Sequence, residues 1–445
     1  MGDTVETKRA HGRSLADFWL DGEEGKLHPA ERRIVDACAK GEVCDLGDVR
    51  PEATDPAKLI RAGLLRFLAL GGDAQTPVHE HGVHLIGAWI DGTLDLDCAA
   101  VPARLAIQRS RIETLIVRDA RLRGLYMDGC CVEAGIAGDR LHGEGGVFLR
   151  NGFRATGEVR LLGAEIGGDL DCSGGTFGNA SGSALSCDGA KVAGGFFFRE
   201  IEMLAGGVGL SSCHVGTLVD DPASWAGVKG NLILDGFTYG RIDGDPAFVG
   251  AAKRIAWLQS QRPDQLAEEF RPQPWEQLIK VLRETGHPNA ARKVAIAKQE
   301  QMRVAGRFAG IRRPIHRLYG AFVGYGYRPE RLLYAMSALW LGFGLVFLWG
   351  SGDRVGRIAP GPTLFLNAPE PRDVPRHSPL HDFDPWRWSL DALLPIDLGY
   401  TATAHPDEAR WQGRVLGWMA VFETLFGWIA SLLLVASVTN LLKKD

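Results

Sequence analysis

The sequence predicts a mainly β chain, a parallel β-solenoid with helical caps, joined to a two-helix transmembrane hairpin. Three observations carry that expectation. An apolar motif recurs about every eleven residues from Val83 to Tyr239. Glycine, 57 of 445 residues, is concentrated between about residues 82 and 244, which implies turns at short intervals. Two long apolar segments lie near the C-terminus, one without a charge and one with a single acid.

The motif reads apolar, any, apolar, any, small, small, any, apolar. Leu105-x-Ile107-x-Arg109-Ser110-x-Ile112, Val159-x-Leu161-x-Gly163-Ala164-x-Ile166 and Leu185-x-Cys187-x-Gly189-Ala190-x-Val192 are copies of it. Alternate apolar residues point inward from a two- or three-residue strand, and the small pair turns a corner. Two such units make one coil, and a coil buries its core only against the next one. The step from Leu85 to Ile90 is five residues. In this the segment resembles the pentapeptide-repeat proteins, and the resemblance implies a right-handed quadrilateral coil. The insertions that lengthen the unit to eleven depart from that family's pattern.

Strand edges at the solenoid ends need covering. Leu27–Lys40 and Asp55–Leu70 read as helices on one side, the second opened by Asp55-Pro56. Trp275–Glu284 and Asn289–Met302 read as a helical hairpin on the other, broken at Gly286 and Pro288. The eight cysteines form no CxxC pair and most occupy alanine or leucine slots of the repeat, so they read as buried small hydrophobes. A net charge of −4 and the lack of a basic, aromatic-interleaved patch exclude bulk nucleic-acid binding. The first fourteen residues show no apolar stretch of a signal peptide.

Leu332–Gly350 holds nineteen residues without a charge, about 28 Å of helix, and Val415–Leu442 carries Glu423 alone. Residues 301–331 hold seven arginines against one acid, whereas residues 351–414 hold seven against nine. The positive-inside rule then places the solenoid and the C-terminus in the cytoplasm and residues 351–414 outside. The organisation expected is a cap over 1–78, the solenoid over 79–244, a helical cap and linker over 245–331, spans at 332–350 and 415–442, and an external loop at 351–414. Three strings, GYGYRPERLLY, PWEQLIKVLRETGHPNAARKVAIAKQEQ and SLDALLPIDLGY…GWIASLLLVASVTNLLKKD, resemble a bacterial family of solenoid proteins with two C-terminal spans. IRAGLLRFLALGG…GVHLIGAWIDGTLDLD resembles the same family. The resemblance implies the inner membrane; some members carry the label membrane-associated oxidoreductase.

Candidate site residues lie in the loop and the second span. Asp384-Pro385 caps an amphipathic segment, Trp386–Leu394, with Trp386, Leu390, Leu393 and Leu394 on one face and Arg387 and Asp391 spaced to pair. Pro395 ends it, before Asp397, Gly399 and Tyr400. A half-span helix, a turn and a second span is the order of two-span cation channels, in which acids such as Asp397 ring the pore entrance. The alternative is an interfacial segment anchored by Trp386 and Trp388. Glu423 is an acid inside a span, which marks function by default. Val323-Gly324-Tyr325-Gly326 spells most of a potassium-filter string, but no re-entrant helix precedes it, so it reads as a bend. His79, His81 and His84 read as a solvated loop rather than a metal set.

No nucleotide-binding glycine loop, metalloprotease helix or nucleophile elbow is present, so the sequence indicates no catalytic residue, cofactor or metal. The partners it implies are the lipid bilayer, further copies of the same chain and a cytoplasmic protein. Three functions stay open: a homo-oligomeric pore or ion channel gated by its cytoplasmic domain, a membrane-tethered scaffold, and the oxidoreductase of the family label.

Overall fold

The computed structural model describes residues 12–20, 25–228, 230–244, 250–306, 312–352, 362, 364–367, 383–402 and 404–444. The leaderless N-terminus expected over 1–14, as far as residue 11, and much of the expected external loop lie outside them. The chain divides into two compact units, Met1–Gly306 and Arg307–Asp445.

The first unit is built on a parallel β-solenoid. In one ladder Val83 pairs with Leu105, and the register passes on to Leu125, Val147, Leu170, Phe196, Leu218 and Ile242. Each step is one coil of 20 to 26 residues, so a coil holds two of the eleven-residue units. Three more parallel ladders run beside it, through Ile90 and Ile112, Leu94 and Leu115, and Val101 and Leu122. Leu105, Leu115, Val159, Leu185 and their equivalents are fully buried between them.

The corners show that the two small positions do different work. The first adopts a left-handed backbone in copy after copy, with φ of 43° at Arg109, 50° at Asp119, 55° at Glu200 and 69° at Gly189. Arginine and glutamate fill this slot, so conformation rather than size is what it demands. A residue with a Cβ there costs about 1 kcal/mol. Pairing along the axis offsets the cost: Arg109 N donates to Asp128 O at 2.8 Å and Gly189 N to Ser211 O at 2.7 Å, each in the next coil. The second position is buried, and its N–H turns back three residues, as from Ala164 to Leu161 O at 3.2 Å. A copy that the motif does not pick out, Ile136-x-Gly138-x-Arg140-Leu141, completes the register. Its inward slot holds Gly138, whose Cβ would stand 2.8 Å from Leu161 Cδ2.

Cys130 and Cys213 fill buried alanine slots, and Cys172 and Cys187 fill leucine slots. Burial pushes the Cys130 and Cys213 thiols up to about 12, which leaves them poor nucleophiles. Outside, ion pairs join residues one coil apart, Arg118 to Asp97 at 3.1 Å and Arg140 to Asp119 at 2.6 Å. Exposed pairs of this kind each contribute under about 1 kcal/mol. Arg150 bridges three coils through Asp128 at 2.7 Å and Asp171 at 3.1 Å.

Helices α1 (Pro29–Lys40) and α2 (Ala62–Ala69) pack at the N-terminal side, α3 (Ala251–Leu258), α4 (Gln273–Glu284) and α5 (Pro288–Val304) at the C-terminal side. The helix expected over Asp55–Leu70 is only half present. Leu59–Arg61 is a strand that extends a ladder beside Trp89–Asp91, because pairing there buries Ile60 completely. Asp55 accepts the Ala57 N–H in a local turn instead of capping a helix. A buried bidentate ion pair fastens each side. Arg61 grips Glu31 of α1 at 2.7 and 2.8 Å; Arg254 of α3 grips Asp220 at 2.7 and 2.9 Å. Trp225 Nε1 also donates to Asp220 at 2.8 Å, and neither Asp220 nor Arg254 is exposed by more than 1%.

The second unit holds α6 (Arg312–Val323), α7 (Glu330–Gly350), α8 (Pro385–Leu393) and α9 (Trp411–Lys444). Over Glu330–Gly350 and Trp411–Ser437 the chain has two helices long and apolar enough to cross a membrane. Only 22% and 17% of these windows are buried, unlike core helices of a soluble protein. Leu341, Leu345, Trp418 and Leu432 point away from the fold. Gly324, Tyr325 and Gly326 take φ of 54°, 58° and 84°, three left-handed residues in a row that turn the chain from α6 into α7.

Two outcomes test this fold. Maleimide at pH 8 should label one thiol per native chain, Cys98, the exposed one of eight, and all eight after unfolding. Asp220→Ala should lower stability by about 3–5 kcal/mol in denaturant titrations, because it leaves Arg254 buried without its carboxylate.

Candidate functional site

The candidate site is built on α8. Asp384 accepts the Trp386 and Arg387 N–H groups and Pro385 occupies the first turn, so this nine-residue helix is well started. It wedges between α7 and α9. Trp388 packs on Phe347 and Leu416, near the end of α7 and the start of α9. Leu393 packs on Met336, Leu332 and Ala430, near the start of α7. Two glycines permit the approach. A Cβ on Gly344 would stand 2.5 Å from the Trp386 ring, and one on Gly427 would stand 1.7 Å from Leu393 O. Small residues at helix contacts serve this purpose in membrane bundles.

The chain then turns back without regular structure. Asp391 holds the turn, accepting the Leu398 N–H at 2.6 Å and the Thr401 N–H at 2.7 Å. Asp397 accepts the Gly399 N–H at 2.8 Å in a tighter turn and stays exposed, with Gly399 at φ +81°. Ile396 and Leu398 are 63% and 44% exposed. A cleft of about 500 Å³ separates Asp391, Asp397 and Thr401 from Thr424, Leu425 and Trp428 of α9. Thr424, Leu425 and Trp428 lie in the middle third of α9 (Trp411–Lys444). Asp397, exposed, therefore shares a cleft with the middle of a helix long and apolar enough to cross a membrane.

Glu423 is fully buried, at the same level. Ser389 Oγ donates to its Oε1 at 2.6 Å, and Oε2 meets no partner among the described residues. Tyr400 is half-buried, its ring 5.7 Å from the Arg387 guanidinium. Trp386 stacks edge-on with Trp340 at 5.9 Å, and its carbonyl accepts the Trp340 Nε1–H at 3.0 Å.

The structure thus brings Asp391, Asp397, Gly399 and Tyr400 into one turn, and reaches Glu423 through Ser389. Two local expectations are corrected. Arg387 pairs with Asp384 at 3.2 Å and not with Asp391, whose carboxylate is taken up by backbone N–H groups. The buried face of α8 is Pro385, Trp388, Ser389, Ala392 and Leu393, whereas Trp386, Leu390 and Leu394 are only half-buried. The wedge contacts two helices at once, so burial does not follow a single apolar stripe. Ser389, Thr401, Gly344 and Gly427 escape sequence reasoning; the signal that marks the last two is a glycine within an apolar span.

In the first unit a groove of about 1110 Å³ runs along one ladder, over His142, Glu165, Lys191 and His214, and ends at Gln277 and Lys280 of α4. The rings of His79 and His81 meet edge-on at 4.4 Å, with His81 Nδ1 3.1 Å from Gly41 O. Among the described residues no group of three or more histidines, cysteines or acids is placed to hold a metal ion. No protein-family model, curated protein or solved structure matches the chain.

Ser389→Ala should lower thermal stability in detergent by about 1–3 kcal/mol, because it strips the bonded oxygen of a buried carboxylate. The Ser389→Ala, Glu423→Leu double variant should recover most of that loss. Additive losses would show that the two side chains do not interact.

Proposed function

We propose that this chain is a membrane-anchored β-solenoid protein whose spanning unit assembles with copies of itself into an ion-conducting pore, gated by the solenoid. One observation carries the reading. The turn after α8 is non-helical, exposes Asp397 and Gly399, and lines a cleft with Thr424, Leu425 and Trp428 in the middle third of α9. Irregular backbone at membrane depth is stable only inside protein or beside a water-filled cavity. Two spans and a half-helix do not enclose such a cavity alone, so copies around a common axis supply it. Between Trp388 and Ala409 there is no lysine or arginine, so Asp397 sets the sign of the field there and favours cations.

The arginine excess over 301–331 supports a placement in a bacterial inner membrane, with solenoid and C-terminus in the cytoplasm. The four parallel ladders support a right-handed quadrilateral coil of the pentapeptide-repeat kind, with α1, α2 and the α3–α5 group as its caps. The groove over His142, Glu165, Lys191 and His214 favours a second reading, a tethered scaffold that docks a cytoplasmic protein along the solenoid.

Purified chain in liposomes should pass potassium or sodium, with cations favoured over chloride. Asp397→Asn should lower that preference severalfold while leaving the fold intact, since Asp397 is exposed. Silent bilayers with correctly folded, inserted protein would refute the pore.

A further inference from the structure

The helix before the first span, α6, carries its apolar residues on the wrong side for a soluble protein. Ile315 and Leu318 are each 56% exposed and Phe322 37% exposed. Spaced three and four residues apart, they form one stripe. The flank that faces the rest of the unit is a different one: His316, Tyr319 and Gly320 are half-buried and Val323 is buried. The His316 ring lies 4.7 Å from Tyr325, and the Tyr319 ring 6.2 Å from it. At 100° per residue, Arg313 and Arg317 fall on the side opposite the apolar stripe, both exposed, and Arg312, also exposed in the first turn, falls on the docked side about 60° from Ile315. The helix contains no acid. It therefore has three flanks: one docked on its own unit, one apolar and exposed apart from Phe322, whose ring meets Phe426 of α9 edge-on at 6.1 Å, and one basic and exposed.

A soluble helix turns its apolar stripe toward the protein. This one presents it at right angles to the docked flank, and the chain enters the apolar span of α7 only seven residues after α6 ends. Apolar and basic faces on opposite sides are the form of a helix lying at a membrane surface, its apolar residues among acyl chains and its arginines at the headgroups. The guanidinium groups make bidentate bonds to phosphate, and each basic residue near an anionic surface contributes about 1 kcal/mol.

We infer that α6 is an interfacial helix that binds the anionic phospholipid headgroups of the leaflet from which α7 enters, through Arg312, Arg313 and Arg317, with Ile315, Leu318 and Phe322 as its acyl anchor. The inference rests on the membrane placement of the second unit and not on a pore.

The test is hydrogen exchange on the full chain in nanodiscs, one set of phosphatidylcholine alone and one with a quarter phosphatidylglycerol. Amides of residues 315–322 should exchange at least tenfold more slowly in the anionic discs, while those of α7 stay unchanged between the two lipids. The Arg312→Gln, Arg313→Gln, Arg317→Gln variant should lose the difference and keep the protection of α7, which shows that it is folded and inserted. Ile315→Ser with Phe322→Ser should speed exchange in both lipids. Equal protection of α6 in both lipids, or a difference that survives removal of the three charges, would overturn the inference. A protein that shows no ion flux but passes this test would refute the pore alone.

Discussion

Backbone N–H and C=O groups withdrawn from water must be paired, and both halves of this protein are shaped by that requirement. In the first half of the solenoid many strands are two residues long, so the corners make up much of each coil. The corners stay in the ladder: Arg109, Asp119 and Gly189 all donate their N–H to the next coil although their φ is positive. That pairing lets arginine or aspartate occupy a conformation that glycine prefers, and it makes each coil depend on its neighbour. The two bidentate pairs, Glu31 with Arg61 and Asp220 with Arg254, fasten a helix to a strand near each end of the solenoid.

The same requirement explains the second unit. Beyond the end of α8 at Leu393 the chain is irregular, and the Asp391 carboxylate takes two of its N–H groups. Asp391 is thus a structural acid, and Asp397, one turn further on, is the acid that stays exposed. Charge alone does not separate these roles; the hydrogen bonds do. Glu423 adds a third role, a carboxylate kept dry beside Ser389, which ties the middle of α9 to the middle of α8.

Much of this was legible in the residues. The repeat is visible because inward positions alternate and because Ala, Cys and Gly recur at corners, and both long apolar helices are visible as apolar runs, the second broken by Glu423 alone. Less visible was the difference between the two corner positions, since Arg109 and Glu200 satisfy a backbone demand that composition does not record. The strand at Leu59–Arg61 was hidden because its neighbour, Trp89–Asp91, lies thirty residues on, and tertiary pairing overrode a helical pattern. In the candidate site the cap at Asp384 and the break at Pro395 could be read locally. Ser389 as the partner of Glu423 could not, because 34 residues separate them and the wedge that joins them depends on Gly344 and Gly427.

On the proposed pore, other copies shield the irregular, charged turn beside Thr424 from lipid. The most direct measurement is therefore the number of chains per particle, by native mass spectrometry of protein released from lipid nanodiscs. A closed ring of identical subunits is the predicted result. A monomer that keeps α8 docked, reported by unchanged protection of its amides in hydrogen exchange, would contradict it.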